Sequence, residues 1–323
     1  MRLALAGDTM LGRKVGERIG AGARRLFDDA VVAAARAADL FVLNLECCIS
    51  ERGTRWPEPG KPFFFRAPPA AVAHLRDLGV GAVTLANNHA LDYGRVALLD
   101  TIAHLRAAGI VVVGAGRDAA EARRTRRLRA AGVTVDLVAV ADHPAGYAAG
   151  PQHPGIAYAD LRSGTPGWLH AAVAGSDADV VVVTAHWGPN MTTSPPAHVR
   201  AAAADLTAAG ATVVAGHSAH VFHGLRARPG SVTCYDLGGF VDDYAVDPDL
   251  RNDLGLLWFV DLDGGDPLRV EALPLHLDFC CTRVAAGPER TWIARRLIAA
   301  SAELGTSVVD GDGRLVATLA RRP

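Results

Sequence analysis

Short apolar runs rich in Val, Leu and Ile alternate along the chain with Ala/Leu/Arg-rich stretches of helical period. The runs predict strands over 2–7, 40–46, 80–86, 110–115, 133–141, 179–187, 211–216 and 231–238. The stretches between them predict helices near 24–38, 68–78, 94–108, 117–124, 166–175, 195–209 and 288–304. The runs 180-VVVV-183 and 110-IVVV-113 are continuous rather than alternating, as expected of strands covered on both faces. This rhythm predicts an α/β layered fold. From about residue 255 the texture changes, and 255–263 and 268–278 read as an antiparallel pair turning around Gly264, Gly265, Asp266 and Pro267. A last helix and a short hairpin over 306–319 follow. The whole of 1–323 is expected to form one domain. The Pro/Gly-rich stretch 50–62 reads as a long surface loop, and 142–166 as a second irregular segment that could act as a lid. The basic run 123–132 reads as a solvated helix end.

Composition narrows the classes. The 33 Lys and Arg against 34 Asp and Glu leave a net charge of -1, which argues against nucleic-acid binding and against a polybasic membrane surface. Mean hydropathy is +0.17, yet no apolar run approaches the roughly 20 residues of a membrane span. The opening MRLALAGDTMLGR does not read as a secretory signal, and a cytoplasmic location is the expectation. The five cysteines show no CxxC spacing, so a structural zinc ribbon is not expected and reduced thiols are.

The polar residues cluster where strands end, the place α/β sheets put ligands. Asp8 follows the first strand, and Asn44 and Glu46 end the second. Asn87, Asn88, His89 and Asp92 follow the third, and His186 ends a later one. His217 and His220 follow the next, with His223 close behind, and Asp236 precedes Asp242 and Asp243. Gathering that many polar groups on one sheet edge without a cation would be costly, so the array points to a metal site. No GxSxG element is present, which disfavours a serine hydrolase.

GDTMLGR, NLE, LANNHALDYG, HWG, GHSAHVFHG and YDLGGFVDDY, in this order, resemble the poly-gamma-glutamate capsule biosynthesis (CapA-type) family of the calcineurin-like metallophosphoesterase superfamily, over roughly residues 1–262. The resemblance implies a four-layer α/β/β/α sandwich. It implies Asp8, Glu46, Asn88, His186 and His217 as metal ligands. His89 would be an acid or base with Asp92 as its orienting partner, and His220 a ligand or a base; Asp236, where the family has serine in DLGGF, adds a carboxylate to the acid/base groups. Ordinary members of the superfamily open with Asp-x-His, where this chain has Met10, and NLE replaces their bridging aspartate. That departure favours one divalent cation per chain over two, with Ca, Mg or Mn preferred.

Two His–Asp pairs flanking a substrate carbon could remove a proton from one face and return it on the other. The favoured expectation is therefore Cα epimerisation of a residue in a peptide or poly-amino-acid substrate, delivered by a partner protein in one version. The same parts could serve hydrolysis or transfer at a phosphoester or amide. A third reading is a non-catalytic capsule-assembly protein that holds an anionic polymer. Trp187 and Trp56 are candidate walls of a substrate groove, together with the Phe63–Phe65 run.

Overall fold

The computed structural model describes residues 1–23, 25–57 and 59–321. A ten-stranded sheet runs in the order Val309–Gly311, Arg314–Thr318, Asp266–Leu277, Leu254–Asp263, Arg2–Thr9, Leu40–Leu45, Ala82–Thr84, Val111–Val113. Gly239–Val241 also pairs with the Arg2–Thr9 strand, and Thr282–Val284 with Asp266–Leu277. The last four strands of that order are parallel, and Leu254–Asp263 joins them antiparallel. The six-stranded sheet runs Leu225–Arg228, Ser231–Cys234, Val213–His217, Val180–His186, Val133–Ala141, Arg126–Ala130, with four parallel strands between two antiparallel edges.

Side-chain alternation along the strands sorts the layers. Val180, Val182, Val213, Ala215 and Leu137 point into the core shared with Leu3 and Leu5 of the other sheet. Val181, Val183, Val214, Val138 and Val140 point the opposite way, onto Leu169 and Val173 of the Gly167–Ala174 helix and Val199 and Leu206 of the Ala197–Ala208 helix. Crossover helices Asp29–Arg36, Ala71–Asp77 and Gly94–Ala107 bring Val31, Leu75, Leu98 and Leu105 to the ten-stranded sheet. The result is the expected four-layer α/β/β/α sandwich. Each fully buried Leu or Phe in these layers contributes about 1.5–3 kcal/mol. The Gly287–Glu303 helix packs on Asp266–Leu277, Leu225–Arg228 and Leu254–Asp263, closing one end across both sheets.

The strand pair after 255 forms as expected, as Leu254–Asp263 and Asp266–Leu277, turning through Gly264 and Gly265, both at positive φ. Three expectations are corrected. The basic run is not a helix end: Arg126–Ala130 is an edge strand, hairpinned to Val133–Ala141 through Ala131 and Gly132 at φ 48 and 79. Its alternating intermediate and exposed residues form a charged edge that discourages pairing with another chain. A helix, Arg13–Gly20, forms directly after the first strand, where the pattern predicts none. The 142–166 segment is anchored rather than lid-like, because Tyr147 is fully buried and its hydroxyl donates to Asp92 Oδ1 at 3.0 Å. Among the described residues no helix is long and apolar enough to cross a membrane.

Candidate metal centre

The parallel strands of both sheets deliver their C-terminal ends to one place. Asp8 lies near the end of Arg2–Thr9, Glu46 follows Leu40–Leu45, and Asn87, Asn88 and His89 follow Ala82–Thr84. His186 and His217 end adjacent strands and lie opposite each other in register. One oxygen each of Asp8 and Glu46 and one nitrogen of His186 lie within 4.8 Å of one another. His217 Nδ1 is 4.0 Å from Asp8 Oδ1. His220 Nδ1 is 2.9 Å from Asp8 Oδ2 and 3.7 Å from Glu46 Oε2.

The donors converge yet do not satisfy one another. Asp8 Oδ2, both Glu46 oxygens, Asn88 Oδ1, both ring nitrogens of His186 and of His217, and His220 Nδ1 are buried with no hydrogen-bond partner. The 2.9 Å approach of His220 to Asp8 is close but not aligned as a hydrogen bond. Two ligands of one ion approach each other in this way without bonding. Burying so many unpaired polar atoms is costly unless a cation binds them, so the residues fit a divalent metal. Three imidazoles beside oxygen donors suit a borderline ion better than calcium, which takes oxygen ligands.

Supporting contacts fix the donors. Asn44 Nδ2 donates to Asp8 Oδ1 at 2.7 Å, which leaves Oδ2 open. Asn87 Nδ2 donates to Asn44 Oδ1 at 2.9 Å and to the Leu45 carbonyl at 2.8 Å, and its own oxygen accepts from His89 N at 3.0 Å. Asn44 is therefore a brace rather than a substitute ligand. Burial alone would raise the Asp8 carboxyl, but His220, His186 and His217 hold it well below the usual carboxylate range. Burial and the neighbouring Asp8 push Glu46 well above it. Burial drives His217 down to about 4 and holds His186 well below the usual imidazole range. Burial opposes the charged form of His220 too, yet Glu46 and Asp8 push it up to about 10.

His89 stands beside this set. Its Nδ1 is 2.6 Å from Asp92 Oδ2, its ring stacks on Phe65 at 3.9 Å, and its Nε2 is 4.0 Å from Glu46 Oε1. Burial drives its imidazole down to about 4 in spite of Asp92. Asp92 is itself tied by Phe65 N at 2.6 Å, Tyr147 Oη at 3.0 Å and Lys61 Nζ at 2.9 Å. His89 and His220 both line a cavity of about 310 Å³, with Arg13, Phe63, Phe65 and Tyr244 among its walls.

Several expected roles move. Asp236 Oδ2 accepts from Ala219 N at 2.8 Å and Oδ1 from Gly238 N at 2.9 Å, so it braces the turn carrying the histidines. Trp187 does not wall the pocket: it is buried, and its Nε1 donates to the Tyr235 carbonyl at 2.9 Å. Trp56 packs edge-on against Tyr147, and its backbone N–H donates to the Asp92 carbonyl at 2.9 Å, so it supports the His89 loop from behind. The three clustered histidines separate: Ser218 and His220 adopt φ of 113 and 59, and His223 instead donates from Nε2 to the Thr192 carbonyl at 2.9 Å. Cys47 is buried with its thiol pushed up to about 12, outside the donor set. The sequence reading missed Lys61 and His143. His143 follows its own strand in ADHP, stands 5.2 Å from the His186 ring and pairs with Asp142; the strand-end rule applied to that strand would have found it.

Comparison with known proteins agrees. The family described as "Bacterial capsule synthesis protein PGA_cap" matches residues 2–244. The "PGA biosynthesis protein CapA" of Bacillus subtilis (strain 168) is 30% identical over 245 residues, covering 74% of this chain and 63% of its own length. A Mycobacterium tuberculosis protein named "Probable polyglutamine synthesis accessory protein" is 30% identical over 292 residues, covering 84% of this chain and 75% of its own length. The solved structure of a hypothetical protein from Thermus thermophilus superposes with a TM-score of 0.51 at 17% identity, covering 86% of this chain and 100% of that one, which supports the fold alone. The chain belongs to the bacterial capsule synthesis PGA_cap family.

Proposed function

We propose that this protein is a metal-dependent enzyme that hydrolyses or transfers an amide-linked poly-amino-acid chain in the synthesis of a poly-γ-glutamate-type polymer. The convergence of buried donors without partners from Asp8, Glu46, Asn88, His186, His217 and His220 carries the reading. The printed names of the relatives support the polymer. A bound divalent ion supplies Lewis-acid activation of a carbonyl and of water. The chain's own residues do the rest. Asn44 and Asn87 hold the carboxylate and amide donors in place. His89, oriented through Nδ1 by Asp92, presents an unprotonated Nε2 toward the cavity, where it can take the proton of an attacking water and then pass that proton to the departing amine. Phe65 covers the His89 ring and keeps water off that face.

The orphaned donor atoms are numerous enough to fill one octahedral ion and leave no position for substrate. Shared between two ions they would leave open positions, which favours two ions over the single hard cation expected from sequence. Cα epimerisation, the first expectation, finds no support in the relatives. It needs two opposed bases, and the contacts of His220 with Asp8 and Glu46 draw it into the donor set.

Metal-loaded protein incubated with a γ-glutamate oligomer in deuterated water tests the reading. New amine ends that vanish with chelator and with His89→Ala are expected. Deuterium entering Cα without chain cleavage would restore epimerisation and defeat the hydrolase reading.

A further inference from the structure

Arg13 is a charged wall of the cavity that metal binding does not use. It opens the Arg13–Gly20 helix at φ 49, in the left-handed region that a residue with a Cβ enters at a cost. Its guanidinium lies 5.5 Å from the Phe63 ring centre, 5.9 Å from Phe65 and 5.9 Å from Tyr244. Its Nε is 3.3 Å from Oδ1 of the buried Asp243, whose other oxygen accepts from Lys14 N at 2.9 Å. Asp243 is thus the acidic partner on one edge of the guanidinium, and among the described residues the terminal Nη edge has no acceptor. Arg13 lines the same cavity as His89 and His220.

We propose that Arg13 is the specificity-determining residue of the cavity and pairs through its Nη edge with an oxyanion of the substrate, a carboxylate or a phosphate. The inference rests on the cavity being the substrate site, as proposed above. Arginine suits this task because its planar fork matches a two-oxygen anion with two parallel hydrogen bonds. Asp243 pairs electrostatically with one edge of that plane and three aromatic rings stand around it, so part of the side-chain freedom is already lost before the anion arrives. Phe63 remains 54% exposed beside it, an aromatic wall left open to solvent that a bound chain would cover. The protein's net charge of -1 provides no general field for anions, so recruitment falls to local cations, the bound metal and Arg13.

Calorimetric titration of the full, metal-loaded chain tests the proposal with three probes: a short glutamate oligomer, the matching glutamine oligomer and inorganic phosphate. Wild type, Arg13→Gln and Arg13→Lys are compared, with metal content and melting temperature measured on each. Arg13→Gln is expected to weaken the glutamate oligomer about 10- to 100-fold while metal content stays the same. Arg13→Lys, which keeps the charge and the aliphatic stem but loses the fork, is expected to weaken it by a smaller factor. It decides the matter if the Gln variant melts early. The glutamine oligomer should bind weakly and alike in all three proteins. Selective loss of phosphate rather than glutamate binding identifies a phosphoryl substrate and still supports Arg13. Equal affinity of wild type and both variants for both anions, or no binding of either anion by wild type, overturns the proposal. Absence of metal from wild type would instead defeat the proposed function, and metal analysis scores that separately.

Discussion

Asp92 is expected to be the most costly polar residue to alter outside the donor set. Its side chain is wholly buried and accepts from Phe65 N, His89 Nδ1, Tyr147 Oη and Lys61 Nζ. Asp92→Asn keeps the shape but removes the charge and aims an NH2 at groups that are themselves donors. Lys61, 11% exposed, then keeps the Asn88 carbonyl at 2.6 Å and the ring faces of Tyr147 and Phe64 but loses its carboxylate. Removing one partner of a buried ion pair costs about 3–5 kcal/mol, a large share of the roughly 5–15 kcal/mol that holds a domain folded. At a few degrees per kcal/mol, the melting point should fall by roughly 10 °C. Lys61→Met removes the opposite charge, and the double variant should recover about 1–3 kcal/mol relative to the sum of the singles. Guanidinium unfolding of the metal-free protein measures all four corners without contribution from bound ions. A change of less than about 0.5 kcal/mol for Asp92→Asn, or strict additivity in the cycle, would show that the charges are not coupled as described.

Gly216 precedes His217, and a Cβ there would sit 1.9 Å from the Tyr235 carbonyl oxygen. Gly216→Ala should therefore cost about 1–3 kcal/mol and weaken metal affinity, whereas Gly20→Ala, with open space around it, should do neither. Denaturant midpoints and metal titration on the two variants check this. Burial alone would raise Glu121, but Arg106 and Arg117 hold it down to about 2, against an ordinary value of 4.5. Its folded pKa is depressed, so its stabilisation is full above about pH 4.5 and disappears as pH falls toward 2. The unfolding midpoint of Glu121→Gln should accordingly converge on that of wild type across this window, and a constant gap from about pH 5 to about pH 2 would contradict the assignment.

The candidate metal donors were legible in the sequence because most of them obey one rule. A parallel strand ends, and its last or next residue faces the ligand side of the sheet. Glu46, His186 and His217 follow it, Asp8 sits one residue before the end of its strand, and Asn88 lies in the loop just past Ala82–Thr84. Groups that reach the site from loops were not legible. Lys61 lies 27 residues before Asn88, the residue whose carbonyl it contacts, and only the folded path of the 50–62 loop brings them together. Asp236 resembles a catalytic carboxylate because it also ends a strand. One of its backbone N–H partners, Gly238, is local, and the other, Ala219, meets it only once the turn from 217 to 223 is built. Trp187 adjoins a donor in sequence, but strand alternation sends its neighbour to the opposite face, into the core beneath the Ala197–Ala208 helix. Arg126–Ala130 is ambiguous in sequence because Arg, Arg, Leu, Arg, Ala has too few apolar positions to distinguish an edge strand from a helix end.

Elemental analysis of the protein after reconstitution with manganese or zinc and exhaustive dialysis addresses the central claim most directly. The account expects about two equivalents per chain in wild type, and sharply lower content in Asp8→Ala, Glu46→Gln and His186→Ala at unchanged secondary structure. Wild-type protein that retains no divalent ion, or variants that retain as much as wild type, would contradict it.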